Sequence, residues 1–309
     1  MALSAAAAGR ALAREDEPAA QSARGWPART VRILVAYPSG GVSDMIAREL
    51  AAIMARQLGV PVVVENRAGA SGTLAMEQLS RSAADGHVLC FAAATAVALM
   101  ASARQLPAGM LPVEPVAGVM RTPVMVVGTQ ALRATSFREM LEVARTQPGG
   151  VRWATTGSGT TGHVVLERVR RATGAPLVHI PYKGGGQQIT DALGGHFEVL
   201  STNVAPQQLE ALQRGRLTAL AVGTPERLPV LPEVPTLTEL GFPEANLDSL
   251  FGLFAPAGIP PTLVARIHLE VAVALRSAAL RSKLLAANNT PFSGSSLEFS
   301  AQVLREIQR

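Results

Sequence analysis

The chain repeats one design: a short apolar run, a glycine-bearing break, then a stretch with apolar residues at helical spacing. Its clearest copy is VRILVAYPSGGVSDMIA, from Val31 to Ala47. Val31, Ile33, Leu34, Val35 and Ala36 form an apolar run with β-branched members, the pattern of a buried strand. Pro38 removes a backbone donor, and Gly40 and Gly41 reach conformations closed to other residues. Ser43 and Asp44 open a helix whose Met45, Ile46, Leu50, Ile53, Met54 and Leu58 recur at helical spacing. Such a unit sets free N–H groups and the positive end of a helix beside the carboxyl end of a strand. That is a seat for a small anion. An ordinary tight turn between strand and helix reads the same way from this stretch alone.

Further copies follow. Val60 to Glu65 is a strand, residues 66–72 (NRAGASG) a loop, and Thr73 to Ser80 a helix. His87 to Ala93 is a strand ending near Thr95, and the proline-bearing stretch from Gln105 to Pro115 reads as loop. A strand at Val124 to Val127 restarts the alternation, and Ser136 caps a helix over Phe137 to Arg145. Val151 to Ala154, Leu177 to Ile180, Phe197 to Leu200 and Leu217 to Val222 read as strands. Helices are expected over 163–173, 187–193 and near 207–213. From Thr224 to Pro243 five prolines punctuate a crossing segment. A last strand, Leu250 to Ala255, and helices over 260–275, 276–286 and 296–307 complete the chain. Strands alternating with helices predict a mostly parallel sheet in two α/β lobes.

Composition narrows the function classes. The 309 residues suit about two domains, and 48% hydrophobic with 17% charged residues allows a large core. Aromatic residues are only 4% and the arginines behind the net charge of +5 are scattered, which argues against a nucleic-acid partner. The lone Cys90 lies in an apolar run and reads as a buried, inert thiol. The five histidines make no ligand pair, so no metal and no cofactor is expected. Residues 1–25 stand apart. MALSAAAAGRALA is small and apolar with a small-x-small site at Ala11 to Ala13, and a polar arm follows. This reads as a signal-like or disordered leader.

Two motifs invite other chemistry. Gly157-x-Gly159-x-x-Gly162 matches a dinucleotide fingerprint, but the acidic residue that would hold a ribose is missing from Leu177 to Pro181. Ser158 with His163 suggests a hydrolase, yet Gly157-Ser158-Gly159 is not G-x-S-x-G and sequence places no orienting acid. The shared feature is broader. Glycine-rich loops at 38–43, 155–162 and 183–187 each deliver a helix N-terminus, and such loops converging between two lobes bind carboxylate oxygens without a catalytic group.

The ordered motifs YPSGGVSDMIAREL, VVVENRAGASGTLA, SAADGHVL, VRWATTGSGTTGH, VHIPYKGGGQQITDALGGHFE, LAVGTPERLPVLPEVPTLTELGFP and FGLFAPAGIP resemble the tripartite tricarboxylate transporter substrate-binding family, also called the Bug family. The resemblance covers residues 26–309. It implies a periplasmic-binding-protein fold of the second type, with lobe 1 formed by 26–123 plus 225–309 and lobe 2 by 124–224. It implies a periplasmic, non-enzymatic protein that hands a small carboxylate to membrane permease subunits; a monomer is expected, though no feature of the sequence sets the oligomeric state. A sensor feeding a receptor kinase is the alternative partner. The family's carboxylate grip carries over to Ser39, Gly40, Gly41, Val42, Ser43 and Asp44 in the first loop. It carries over also to Thr156, Gly157, Ser158, Gly159, Thr160, Thr161 and His163 in the later loop. Asp44 equally suits a structural role in the first helical turn. Lys183 sits at the rim of the third loop, and Thr95 is the polar residue after Ala92-Ala93-Ala94. Ser201-Thr202-Asn203 stands where the family often reads Phe-Asp-Asn. Thr202 and Asn203 are expected at the ligand, and Thr202 cannot pair with an ammonium group, so the expected ligand has none.

Overall fold

The structure, a computed structural model, describes residues 25–107 and 110–308; residues 1–24 of the expected leader lie outside the described residues. β1 (Val31–Val35), α1 (Val42–Leu58), β2 (Val62–Asn66), α2 (Thr73–Ser80) and β3 (Val88–Ala93) follow the expected alternation. α1 buries Ile46, Ala47, Leu50, Ile53 and Met54, and stops at Gly59, whose φ of 69° forms a left-handed cap with its N–H on Ala55 O.

Two elements depart from the sequence reading. α3 (Ala94–Ala103) is a helix where the strand was expected to run out near Thr95. Ala94, Ala96, Val97, Met100 and Ala101 are all buried, and the remaining positions are small or apolar too, so no amphipathic stripe marks the helix. β4 (Val113–Gly128) is a 16-residue strand where a loop to Pro115 and a short strand at 124–127 were expected. Proline removes a ladder donor, and β4 accommodates Pro115 through register shifts at Pro115/Ala117 and Gly118/Met120.

The alternation then continues through α4 (Phe137–Thr146), β5 (Val151–Thr155), α5 (Thr161–Thr173), β6 (Leu177–Pro181) and α6 (Gly185–Leu193). β7 (Val199–Asn203), α7 (Pro206–Gln213) and β8 (Thr218–Gly223) follow. After the proline-punctuated segment come β9 (Asp248–Pro256), α8 (Pro261–Leu275), α9 (Ala278–Ala286), a short β10 (Thr290–Pro291) and α10 (Ser296–Ile307). α4, α9 and α10 begin at Ser136, Ser277 and Ser295, whose hydroxyls accept the N–H groups of Glu139, Leu280 and Glu298.

The strand order repeats. One half-sheet runs β2-β1-β3-β9-β4, the other β6-β5-β7-β4-β8. In the first, β1 is parallel to β2 and β3, and β9 is antiparallel to its neighbours β3 and β4. In the second, β5 is parallel to β6 and β7, and β4 is antiparallel to β7 and β8. β4 therefore belongs to both. Its Pro123 pairs with Asp248 of β9, and the next residue, Val124, pairs with Asn203 and Gly223. The chain returns through residues 224–247 to enter β9.

Both faces of each half-sheet are covered, as parallel strands require. Ile33, Val35, Leu89 and Phe91 pack toward α1, α8 and α9, while Leu34, Cys90 and Ala92 face α2, α3 and α10. Val124 and Val126 face α4 and α5, and Met125 and Val127 face α6 and α7. Burying each such side chain contributes about 1.5–3 kcal/mol. Cys90 is fully buried and burial pushes its thiol up, so it is an inert core residue. Among the described residues no helix is long and apolar enough to cross a membrane.

Candidate functional site

Strand ends make the site. The carboxyl ends of β1 and β3 face those of β5 and β7, and a cavity of about 50 Å³ lies between them, beside the crossing at Val124. Open α/β sheets bind ligands at such ends. The first half contributes Tyr37, Ala93, Thr95 and Phe251. The loop after β5 and the start of α5 contribute Thr156, Thr160, Thr161 and Gly162. Ser201, Thr202 and Asn203 come from β7, and Ser249 from β9 donates to Asn203 Oδ1 at 3.1 Å.

Among the described residues this lining is rich in hydroxyls and carries no charged side chain. Tyr37 Oη accepts the Ala93 N–H at 2.9 Å, and burial holds its hydroxyl pKa above the usual phenol value, so its proton remains to be donated. α3 and α5 start beside the cavity, at Ala93 and Thr160, with no side-chain cap. The uncapped ends leave backbone donors and the positive dipole end for an anion.

The loop after β5 is built to hold its shape. Gly157 and Gly159 have φ of 138° and 72°, which exclude ordinary side chains. Thr155 Oγ1 accepts the Gly157 N–H at 3.2 Å, and Thr160 Oγ1 donates to Gly157 O at 2.7 Å. Behind the loop, His163 Nδ1 accepts the Gly159 N–H at 3.0 Å and stacks on His179, with centroids 4.1 Å apart. His179 Nε2 lies 2.8 Å from Thr155 Oγ1. Burial lowers the pKa of both imidazoles. For His179 the neighbouring His163 and Arg170 add to burial and bring it to about 4. Glu167 Oε1 lies 3.5 Å from His163 Nε2, where an orienting acid would stand. The other ring nitrogen is committed to the Gly159 amide and not to Ser158, so the geometry assembles no serine nucleophile with a histidine base.

The two halves touch around this loop. Ser71 Oγ donates to Ser158 O at 2.9 Å. A Cβ built on Gly159 would lie 2.1 Å from Leu99 Cδ2, and one on Gly184 3.6 Å from Pro38 Cγ. Ser71→Ala is expected to weaken ligand binding about twofold to fivefold, because an exposed neutral hydrogen bond is worth about 0.5–1 kcal/mol. Calorimetric titration checks this.

Of the residues expected at the ligand, the structure brings Thr95, Thr156, Thr160, Thr161, Thr202 and Asn203 to the cavity. Gly157, Ser158 and Gly159 form the loop that meets the other half, and His163 braces it. Ser39, Gly40 and Gly41 are exposed, Val42 and Ser43 half-buried, and none of the five lines the cavity. Asp44 is turned into its own loop. Its carboxylate accepts Gly40 N–H at 3.0 Å, Asn66 Nδ2 at 2.8 Å and Arg48 Nε at 3.0 Å. Burial alone would raise Asp44, and the bonds from Arg48, Gly40 and Asn66 together hold it below the usual carboxylate value. Lys183 is exposed and also lies off the cavity. Sequence reasoning missed Tyr37, Ser71, Ser201, Ser249 and Phe251. Ser201 stood beside two expected residues, Tyr37 opened the quoted first loop and Ser71 lies in the glycine-bearing loop 66–72; Ser249 and Phe251 carry no local signal.

Comparison with known proteins gives concordant findings. The family model described as tripartite tricarboxylate transporter family receptor matches residues 46–309. Protein BugT of Bordetella pertussis is 34% identical over 294 residues, 93% of this chain and 89% of the relative. Among solved structures, MatC from Rhodopseudomonas palustris with bound malate aligns with TM-score 0.81 at 28% identity, covering 92% of this chain and 98% of that one. R. palustris Rpa4515 with adipate aligns with TM-score 0.79 at 30% identity, covering 92% and 95%. The periplasmic binding protein BugD aligns at 0.79 with 26% identity, covering 92% and 95%.

Proposed function

The chain belongs to the tripartite tricarboxylate transporter receptor family and has its periplasmic-binding-protein fold, and from that premise we propose that it captures a small organic acid without an ammonium group. One observation carries the reading: the cavity between the half-sheets offers hydroxyls and uncapped helix ends, and among the described residues no acidic side chain lines it. Carboxylate oxygens accept from such donors. An ammonium group would need the anion that Thr202 does not provide; Thr202 Oγ1 instead accepts from Gln208 Nε2 at 3.3 Å. Relatives with bound malate and adipate support the carboxylate.

Residues 26–123 with 225–309 act as one lobe and 124–224 as the other, hinged where β4 crosses and where residues 224–247 return. Thr95, Thr156, Thr160, Thr161, Thr202 and Asn203 meet the ligand, and the 157–159 loop closes over it against Ser71. The protein works in the periplasm as a monomer, carries no catalytic centre and delivers its acid to the permease subunits of a tripartite tricarboxylate-type transporter. A thermal-shift screen with di- and tricarboxylates, aromatic acids and acidic amino acids at millimolar concentration tests this. The expected result is a rise of several degrees with a plain carboxylate and none with its amino-acid analogue. A response confined to amino acids would overturn the amine-free ligand. Silence toward every acid would overturn the binder.

A further inference from the structure

A second cavity, about 170 Å³, adjoins the first and shares with it the residues Thr95 and Thr161. It lies between the α3 face bearing Ala98, Leu99 and Ser102, the start of α5, and the end of α10. Its walls are Ala98, Leu99, Val164, Leu247 and Ile307. Among the described residues Glu306 is the single charged one lining either cavity, and it has a partner of its own.

We propose that this chamber is a subsite for the apolar body of the ligand, so that the protein selects a monocarboxylate carrying a group about the size of a phenyl ring. The proposal rests on the carboxylate-binding reading above and adds the ligand's other end. Size fits: an apolar cavity of about 150 Å³ holds a benzene ring, whereas the first chamber, about 50 Å³, has room for little more than a carboxylate. Access fits as well. The partition is one residue from each half, Thr95 from α3 and Thr161 from α5, so it parts when the halves part and closes around a ligand threaded between them. Charge decides the class. A second carboxylate in the chamber would meet apolar walls and find no cation among the described lining residues. An apolar ring loses nothing there and covers Leu99, which already bears on Gly159.

Calorimetric titration of the full chain with 3-phenylpropionate, propionate, malate and adipate tests this. The expected order is 3-phenylpropionate at least tenfold tighter than the other three. Ala98→Phe, which fills the chamber from a half-buried helix position, is expected to weaken 3-phenylpropionate at least tenfold and leave propionate unchanged. Malate or adipate binding as tightly as 3-phenylpropionate to the unaltered protein overturns the subsite without touching the carboxylate reading, and that comparison needs no variant to fold. Undiminished 3-phenylpropionate binding by folded Ala98→Phe overturns it too. If none of the four acids binds, the carboxylate reading itself falls and the subsite with it.

Discussion

Gly162→Ala is expected to cost about 3 kcal/mol of stability and to abolish ligand-induced stabilisation. The first turn of α5 lies flush on β7 because residue 162 has no side chain. A Cβ there would stand 2.6 Å from Ser201 Oγ, 3.1 Å from Ser201 Cβ and 3.3 Å from Ser201 O. A terminal hydroxyl normally moves aside at little cost, but this one is fixed at both ends. Trp153 Nε1 donates to Ser201 Oγ at 3.1 Å, and Ser201 Oγ donates to Gly162 O at 2.8 Å. Rotating Ser201 leaves the indole N–H of the fully buried Trp153 without a partner, roughly 1–3 kcal/mol, on top of roughly 1–3 kcal/mol of overpacking. The other relaxation lifts α5 from the strand. That carries Thr160 and Thr161 away from Thr202 and Asn203, so the cavity loses its donors on one side. Urea denaturation and ligand titration measure the two effects. In the Gly162→Ala, Ser201→Gly double variant the conflict with the Ser201 side chain is gone and the orphaned indole remains, so the double variant separates the two effects. Stability unchanged in Gly162→Ala would mean that α5 is not seated on β7 as described.

That contact also marks how far the sequence could be read. The loops at 38–43 and 155–162 were legible because glycine and proline leave few local alternatives, and α1, α5 and α10 because their apolar residues keep helical spacing. α3 was not, since a helix buried on nearly every side looks like any apolar run, and its first residues appeared to prolong β3. β4 was hidden by Pro115, Gly118 and Pro123, each a sign of loop in isolation; only pairing with β9 on one side and β7 and β8 on the other makes one strand of them. The site divides along the same line. Residues on a glycine loop or beside one, such as Thr156, Thr160 and Thr161, were found. Ser249 and Phe251 reach the cavity through tertiary placement that no local pattern records, and Ser71, on the glycine-bearing loop 66–72, shows that such a loop alone does not say which of its residues face the cavity. Asp44 shows the converse. Its position in a first helical turn served a ligand and a loop equally well until Gly40, Arg48 and Asn66 were seen to share its carboxylate.

Lowering the pH from 7 to 4.5 is expected to loosen the 155–162 loop and to cost roughly 1–2 kcal/mol through its histidine pair. Neutral His163 uses Nδ1 as an acceptor for the Gly159 N–H; protonation puts a second donor on that line and the bond is lost. His179 is stacked 4.1 Å away, so a charge on either ring raises the cost of charging the other. Unfolded, each ring titrates near 6.5, while the folded His179 is pushed down to about 4, first by burial, then by His163. Between these values the unfolded chain binds more protons than the folded one. Stability is therefore complete above about pH 6.5 and falls as the pH drops toward 4. Two and a half units convert to about 3 kcal/mol; the ring is partly open to water, which screens it, and about half is expected. Asp44, Glu65, Asp85 and Glu198, all held below ordinary carboxylate values, begin to lose their contributions as the pH falls below about 5, and a variant that keeps them all but lacks one imidazole separates the two effects. His179→Gln keeps a partner for Thr155 and removes the larger of the two titrations. Its stability should stay flatter than that of the unaltered protein across the window, while amide exchange at Gly159, which follows His163, is still accelerated by acid. Parallel pH profiles for the two proteins would show that the pair does not brace the loop.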